Sequence, residues 1–130
     1  NKFSEELKIH KIKNIKLPVS APFHCELMKS ASEKMREEIN KTEFKKPEIN
    51  IISNVTAKQV NDPNDIKKLL IEQIEEPVRW REIVINMIDS EVEKFIEIGP
   101  GKVLSGLVKR INSNVELIQV NELDDLNKLT

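Results

Sequence analysis

Apolar positions along the chain fall into helical and strand spacings that alternate. Phe3, Leu7, Ile9 and Ile12 stand among Lys and Glu, which predicts a helix over residues 3–13 with a ragged apolar face and Asn14 as its stop. Residues 15–20 predict a short strand, where Pro18 favours an edge position or a strand start. The clearest helix follows: Leu27, Met28, Ala31, Met35 and Ile39 repeat on one helical face, with Lys, Glu and Arg opposite, to about Lys41. Residues 49–55 carry Ile49, Ile51 and Ile52 in a nearly continuous apolar run and predict a buried strand.

Asn61-Asp62-Pro63-Asn64-Asp65 predicts a turn and a helix start, with Asp62 or Asn64 as the cap. Ile66, Leu69, Leu70 and Ile74 give that helix its stripe. Pro77 breaks it and suits the first position of the next helix, which presents Val78, Trp80, Ile83, Val84, Met87 and Ile88. Phe95, Ile96 and Ile98 predict another buried strand, ending at Gly99-Pro100-Gly101, before a helix with Val103, Leu104, Leu107, Val108 and Ile111. Residues 115–120 predict a further strand and 123–129 a short closing helix. Strands alternating with helices predict an α/β architecture with a mostly parallel sheet flanked by helices.

Composition narrows the function classes. With 33% charged and 38% apolar residues in 130, the chain reads as one folded domain or part of a larger one. A net charge of −1 argues against a nucleic-acid partner, which asks for a basic excess. The pairs Lys45-Lys46, Lys67-Lys68 and Lys109-Arg110 read as solvated faces. No apolar run approaches the ~20 residues of a spanning helix, so no membrane is expected. The single cysteine, Cys25, permits no intrachain disulfide, fits a reducing, cytoplasmic setting and leaves no zinc-ligand spacing. No metal and no cofactor are expected. An N-terminus without methionine is consistent with processing or with a piece of a longer chain.

Two stretches could carry chemistry. In Leu17-Pro18-Val19-Ser20-Ala21-Pro22-Phe23-His24-Cys25-Glu26-Leu27-Met28, a constrained loop joins a strand to a helix and holds His24. An imidazole can take a proton from a hydroxyl or thiol and return it to a leaving group; equally, a loop histidine can simply hydrogen-bond its surroundings. Cys25 reads as small packing, since neighbours in sequence seldom form a catalytic pair. The second stretch, Phe95-Ile96-Glu97-Ile98-Gly99-Pro100-Gly101-Lys102, is a strand, a glycine turn and a helix start. It matches neither the dinucleotide fingerprint nor the phosphate loop, and tight strand-to-helix packing is expected there. The pattern G-x-S-x-G is absent, so the group that a base at His24 would serve is not recognisable in this chain.

The run from Leu17 to Met28 resembles the histidine motif of malonyl-CoA:acyl carrier protein transacylases. Ile51-Ile52-Ser53-Asn54-Val55 resembles that family's strand after the long helix. Gln73-Ile74-Glu75-Glu76-Pro77-Val78-Arg79-Trp80 resembles its Q-x-x-x-P-V-x-W segment, and residues 95–107 its G-P-G-K-V-L-x-G-L signature. The motifs follow one another in the family's order from about residue 15 onward.

The resemblance implies part of an acyltransferase domain, α/β-hydrolase-like, with residues 1–14 ending a small inserted subdomain and 15–130 forming the C-terminal part of the core. It implies transfer of a malonyl group from coenzyme A to the phosphopantetheine thiol of acyl carrier protein in fatty acid biosynthesis. His24 matches the family's base. Gln73 matches a residue whose backbone carbonyl orients that histidine, as an aspartate does in a triad. Phe23 is similar to the malonyl-selective pattern, and Cys25 falls at a non-catalytic position. The family's serine, in G-H-S-x-G-E, its carboxylate-pairing arginine and its oxyanion glutamine lie upstream of this stretch. The chain is therefore expected to be inactive alone and to need the upstream portion, in cis or in trans. Such a part would also expose sheet edges and apolar faces. The alternatives are a non-catalytic module binding carrier protein, or a fragment of a polyketide or fatty acid synthase acyltransferase domain.

Overall fold

The computed structural model describes residues 2–15, 19 and 21–129. Helix α1 (Lys2–Ile9) is followed, after the loop that bears His24, by a 3₁₀ turn (Glu26–Met28) and α2 (Lys29–Lys41). Strands β1 (Ile51–Ile52) and β2 (Gln59–Val60) form an antiparallel hairpin. Then come α3 (Pro63–Glu72), α4 (Trp80–Asp89), β3 (Lys94–Ile98), α5 (Val103–Ile111), β4 (Glu116–Val120) and 3₁₀ turns over Leu123–Leu129. β3 and β4 pair in parallel, Ile96 opposite Ile118 and Ile98 opposite Val120. The α/β alternation is thus present. Of the mostly parallel sheet, the described residues hold this one parallel pair beside one antiparallel pair. Among them, no helix is long and apolar enough to cross a membrane.

Helix ends follow local chemistry, and several differ from the periodicity. Asp62 caps α3 as expected: its Oδ1 accepts from the N–H groups of Asn64 (2.8 Å) and Asp65 (3.1 Å), with Pro63 in the first turn. α1 stops at Ile9 rather than at Asn14. Lys11 turns left-handed (φ 56°), so Ile12 N–H reaches Leu7 O (2.8 Å) and Lys11 N–H reaches Lys8 O (2.9 Å), a Schellman ending without glycine. α4 ends the same way at Glu91 (φ 65°), with Val92 N–H on Met87 O. Pro77 does not open α4. The N–H of Arg79 is held by Asn54 O (3.0 Å), so helical geometry begins only at Trp80.

The expected strand over 49–55 shrinks to Ile51–Ile52 because residues 53–58 close a hairpin. Ser53 N–H donates to Lys58 O (3.0 Å), and Ala57, left-handed at φ 55°, donates to Ser53 O (2.9 Å). Nor is this strand buried: Ile49 and Ile51 are exposed. The strand expected over 15–20 lies largely outside the described residues. The expected C-terminal helix over 123–129 is 3₁₀.

The core is small. α3 buries Ile66 and Ile71, α4 buries Ile83 and Val84, α5 buries Val108, and β4 buries Ile118 and Val120. α2 packs on α3, and α5 packs on α4, β3 and β4. β3 is not the buried strand its apolar run predicts. Ile96 and Ile98 share a face with the buried Ile118 and Val120 yet are 45% and 79% exposed. Its other face carries Glu97, whose carboxylate caps α5. Oε1 accepts from Leu104 N–H (3.0 Å), and Oε2 from Ser105 N–H (2.8 Å) and Ser105 Oγ (2.6 Å).

These bonds decide what the glycine turn does. The amides of Leu104 and Ser105 are spent on Glu97, Gly101 N–H on Asn121 Oδ1 (2.6 Å), and Gly99 N–H on Val120 O (3.0 Å). Tight packing is not what fixes the glycines: a Cβ at Gly99 or Gly101 would meet nothing within 4 Å. Their backbone is, with φ at 130° and 98°, a region other residues avoid.

Two measurements check this account. Ile71→Ala, deep in the core, should lower stability in urea unfolding by roughly 2–5 kcal/mol, whereas Ile98→Ala should stay within about 0.5 kcal/mol of the parent. The hydrogen bonds from Ser105 and Leu104 hold the Glu97 carboxyl below its ordinary range. A depressed carboxylate contributes stability that is present above the unfolded value and lost as pH falls through the folded one. Thermal melts should therefore drop on acidification below about pH 4, and Glu97→Gln should flatten that drop while lowering the neutral-pH melting point.

Candidate active site

The loop that carries His24 is built by its neighbours. Cys25 is extended, its Sγ donates to Pro22 O (3.1 Å), and its carbonyl accepts from Met28 N–H (2.9 Å) to open the 3₁₀ turn. The thiol is thus engaged in the loop. His24 itself is left-handed, at φ 60°. That is uncommon for a residue with a Cβ and costs on the order of 1–2 kcal/mol, so the surrounding contacts must hold it there.

The contact that stands out is long-range. His24 Nδ1 lies 2.8 Å from the backbone oxygen of Gln73. Gln73 is the C-cap of α3, just past Glu72, where helix carbonyls lack intrahelical partners. A carbonyl can only accept, so Nδ1 carries the proton and Nε2 keeps its lone pair. The C-terminal end of α3 also sets partial negative charge beside a ring that becomes cationic when it accepts a proton.

Gln73 is braced in turn. Asn54 Nδ2 donates to its Oε1 (3.3 Å), from the hairpin loop between β1 and β2. That loop is tied to α4 by Arg79 N–H on Asn54 O (3.0 Å), Arg79 Nη1 on Thr56 O (3.1 Å) and Asn86 Nδ2 on Ala57 O (2.9 Å). The rest of the Arg79 fork pairs with Glu82 in the first turn of α4, which holds the Glu82 carboxyl below its ordinary range.

His24 opens onto a groove of about 410 Å³. Met28, Ala31 and Met35 form one wall, and Gln73, Ile74 and Val78 the other, with Phe23 at the rim. This accounts for an oddity of α2, whose apolar row lines the groove rather than a core; its buried residue is Ser32. His24, Gln73 and Phe23 are therefore gathered at one place, with Phe23 exposed. Periodicity missed Asn54 and Arg79. The dipeptide Ser53-Asn54 is turn chemistry and could have flagged the loop; nothing local marks Arg79.

The chain resembles one portion of the malonyl CoA-acyl carrier protein transacylases. It is 48% identical over 108 residues to the "Malonyl CoA-acyl carrier protein transacylase" of Bacillus subtilis, which covers 83% of this chain and 34% of that protein. An acyl carrier protein S-malonyltransferase from Vibrio cholerae superposes with a TM-score of 0.81 at 46% identity, over 88% of this chain and 37% of that one. A chain from the complex of a type II PKS acyl-carrier protein with its malonyl-transacylase superposes with a TM-score of 0.84 at 35% identity, over 95% and 40%. No family model matches. The chain thus spans about a third of the length of the curated transacylase it matches. Its α/β fold superposes on the corresponding part of those two solved chains.

The left-handed backbone at His24 gives a test independent of activity. His24→Asn should keep the loop, because asparagine tolerates this region. His24→Val should lower stability by about 1–2 kcal/mol more than His24→Asn, read by urea unfolding.

Proposed function

We propose that this chain carries the base of a malonyl transacylase, with residues 1–14 ending a small inserted subdomain and 15–130 belonging to the α/β core. The observation that carries the reading is the 2.8 Å contact of His24 Nδ1 with Gln73 O. It fixes the tautomer that proton transfer needs, with Nε2 as the acceptor. The names of the relatives supply the substrates: malonyl-CoA as donor and acyl carrier protein as acceptor. The nucleophile is a serine outside these residues, since no G-x-S-x-G occurs among the 130.

The steps follow from that tautomer. Nε2 takes the serine proton as Oγ attacks the malonyl thioester. The tetrahedral intermediate collapses, the C–S bond breaks, and the departing coenzyme A sulfur takes the proton from Nε2–H. The cycle then reverses on the new thiol. Nε2 accepts the proton of the phosphopantetheine thiol, sulfur attacks the acyl-serine, and the serine oxygen leaves with the proton. Gln73 O keeps the ring in orientation throughout, the part a buried aspartate takes in a triad. The groove beside His24, mostly apolar with Asn54 and Gln73 as its amide-bearing lining, suits the arm of a thioester, and Phe23 at its rim is the candidate to bear on acyl choice. We assign the reaction to the cytoplasm, where the lone thiol of Cys25 stays reduced.

A chimera tests the reading. The segment of the Bacillus subtilis transacylase that this chain matches over 108 residues is replaced by the corresponding residues of this chain, and malonyl transfer to acyl carrier protein is followed. The chimera should turn over, and His24→Ala within it should lower kcat by roughly 10²–10⁴. The 130 residues alone should show no transfer. A folded chimera whose activity survives His24→Ala would sink the proposal.

A further inference from the structure

Asn54 lies outside the proton path, yet the geometry gives it a place in the machinery. It rests on the reading of His24 as base. We infer that Asn54 is a positioning residue that acts through Gln73, so that hairpin loop, helix end and imidazole form one relay.

His24 cannot be oriented by burial, because it is exposed, and its backbone is in a region that the local sequence does not favour. Among the described residues its orientation therefore rests on one acceptor, the Gln73 carbonyl. That acceptor stands at the C-cap of α3, in a part of a helix that frays most easily. The residues after it are turns, with Ile74, Glu75 and Glu76 bonded back to Ile71 and Glu72. The side chain of Gln73 leaves this turn and accepts from Asn54 Nδ2 (3.3 Å).

Asn54 is a fixed post. Its own carbonyl takes the N–H of Arg79, Arg79 Nη1 holds Thr56 O two residues on, and Asn86 Nδ2 holds Ala57 O. The loop is closed underneath by the Ser53–Lys58 and Ala57–Ser53 backbone bonds. Thus α4 fixes the loop, Asn54 fixes the Gln73 side chain, and the Gln73 backbone fixes the ring. At 3.3 Å the Asn54–Gln73 bond is just longer than the usual N–H···O range, so its effect is a bias on the ring and not an on–off switch.

The chain carries only two histidines, His10 and His24, which makes the ring directly readable. The ¹⁵N-labelled 130-residue chain is observed by long-range ¹H–¹⁵N correlation of its imidazoles at about pH 8, where an ordinary histidine is neutral. His24 should sit mainly as the Nδ1–H tautomer. Asn54→Leu should lower its Nδ1–H to Nε2–H ratio roughly threefold. Asn54→Asp should restore it, because the Gln73 amide can rotate and donate to the new carboxylate. Gln73→Leu keeps the backbone carbonyl and deletes the side-chain acceptor, so it should reproduce Asn54→Leu; it reads the same bond should Asn54→Leu fail to fold. Asn86→Ala removes one of the three bonds that tie the loop to α4 and leaves the Asn54–Gln73 bond itself, so it should lower the ratio in the same direction but by less than Asn54→Leu does. His10, on α1, should not respond to any of them.

Two results would overturn the relay: His24 unchanged in both Asn54→Leu and Gln73→Leu, or Asn86→Ala shifting His24 as far as Asn54→Leu does. Either leaves the base reading intact as long as parental His24 is held as Nδ1–H. A parental His24 with the same tautomer mixture as His10 would remove the Gln73 contact itself, and both readings would fall together.

Discussion

A helix that ends leaves carbonyls with nothing inside the helix to accept from. At the end of α3 one of these, on Gln73, takes the imidazole of His24 at 2.8 Å. Among the described residues this is the bond that gives the exposed ring its direction, and the proposed chemistry rests on it. It also explains why the surrounding pieces are where they are. α3 needs a firm start for its end to be placed, and Asp62 with Pro63 supplies one. α2 needs an apolar row that faces the histidine, and Met28, Ala31 and Met35 supply it.

The same economy governs the rest of the chain. Polar groups stranded at element ends are satisfied by side chains, from a different element at α5 and the glycine turn and from within the last 3₁₀ segment itself. The carboxylate of Glu97 in β3 takes the first amides of α5, Asn121 after β4 takes Gly101 N–H, and Asp125 takes the amides of Asn121 and Glu122. The hydrogen bond from Lys128, followed by those amides, holds the Asp125 carboxyl below its ordinary range. With few fully buried apolar side chains, these cross-element bonds fix angles that a larger core would fix by packing.

Most helices, and the strands β1, β3 and β4, were legible from periodicity, because those helices carry stripes and those strands apolar runs; β2 was missed, since Gln59-Val60 makes no run. Boundaries were less so, for reasons that lie in particular residues. Lys11 and Glu91 end their helices by turning left-handed, a role that sequence rules reserve for glycine. Pro77 looks like a helix start, but the amide two residues on is claimed by Asn54, far away in sequence. Burial of strands was overcalled: Ile49, Ile51, Ile96 and Ile98 are apolar and exposed, and periodicity reports what a face prefers, not what covers it. Of the site, His24 was visible from its loop. Gln73 became visible only by resemblance, since a backbone carbonyl leaves no trace in residue type. Asn54 was hidden for the opposite reason: its side chain matters, but it reads as a polar position in a strand.

That a carbonyl and not a carboxylate faces His24 has a chemical consequence. A carboxylate fixes the tautomer and also offsets the charge of the imidazolium with a full negative charge; a carbonyl offers the first and only a partial dipole for the second. For attack on an amide, where the leaving group is poor and the cation must persist, the full charge matters. A thioester is more reactive and expels a thiolate that is itself easily stabilised, so the ring need hold its proton only briefly. On the proposed reading, the acceptor at Gln73 therefore suits acyl exchange between two thiols better than peptide cleavage. It also puts the burden on alignment in place of charge, and alignment is what the α3 end and the loop behind it provide.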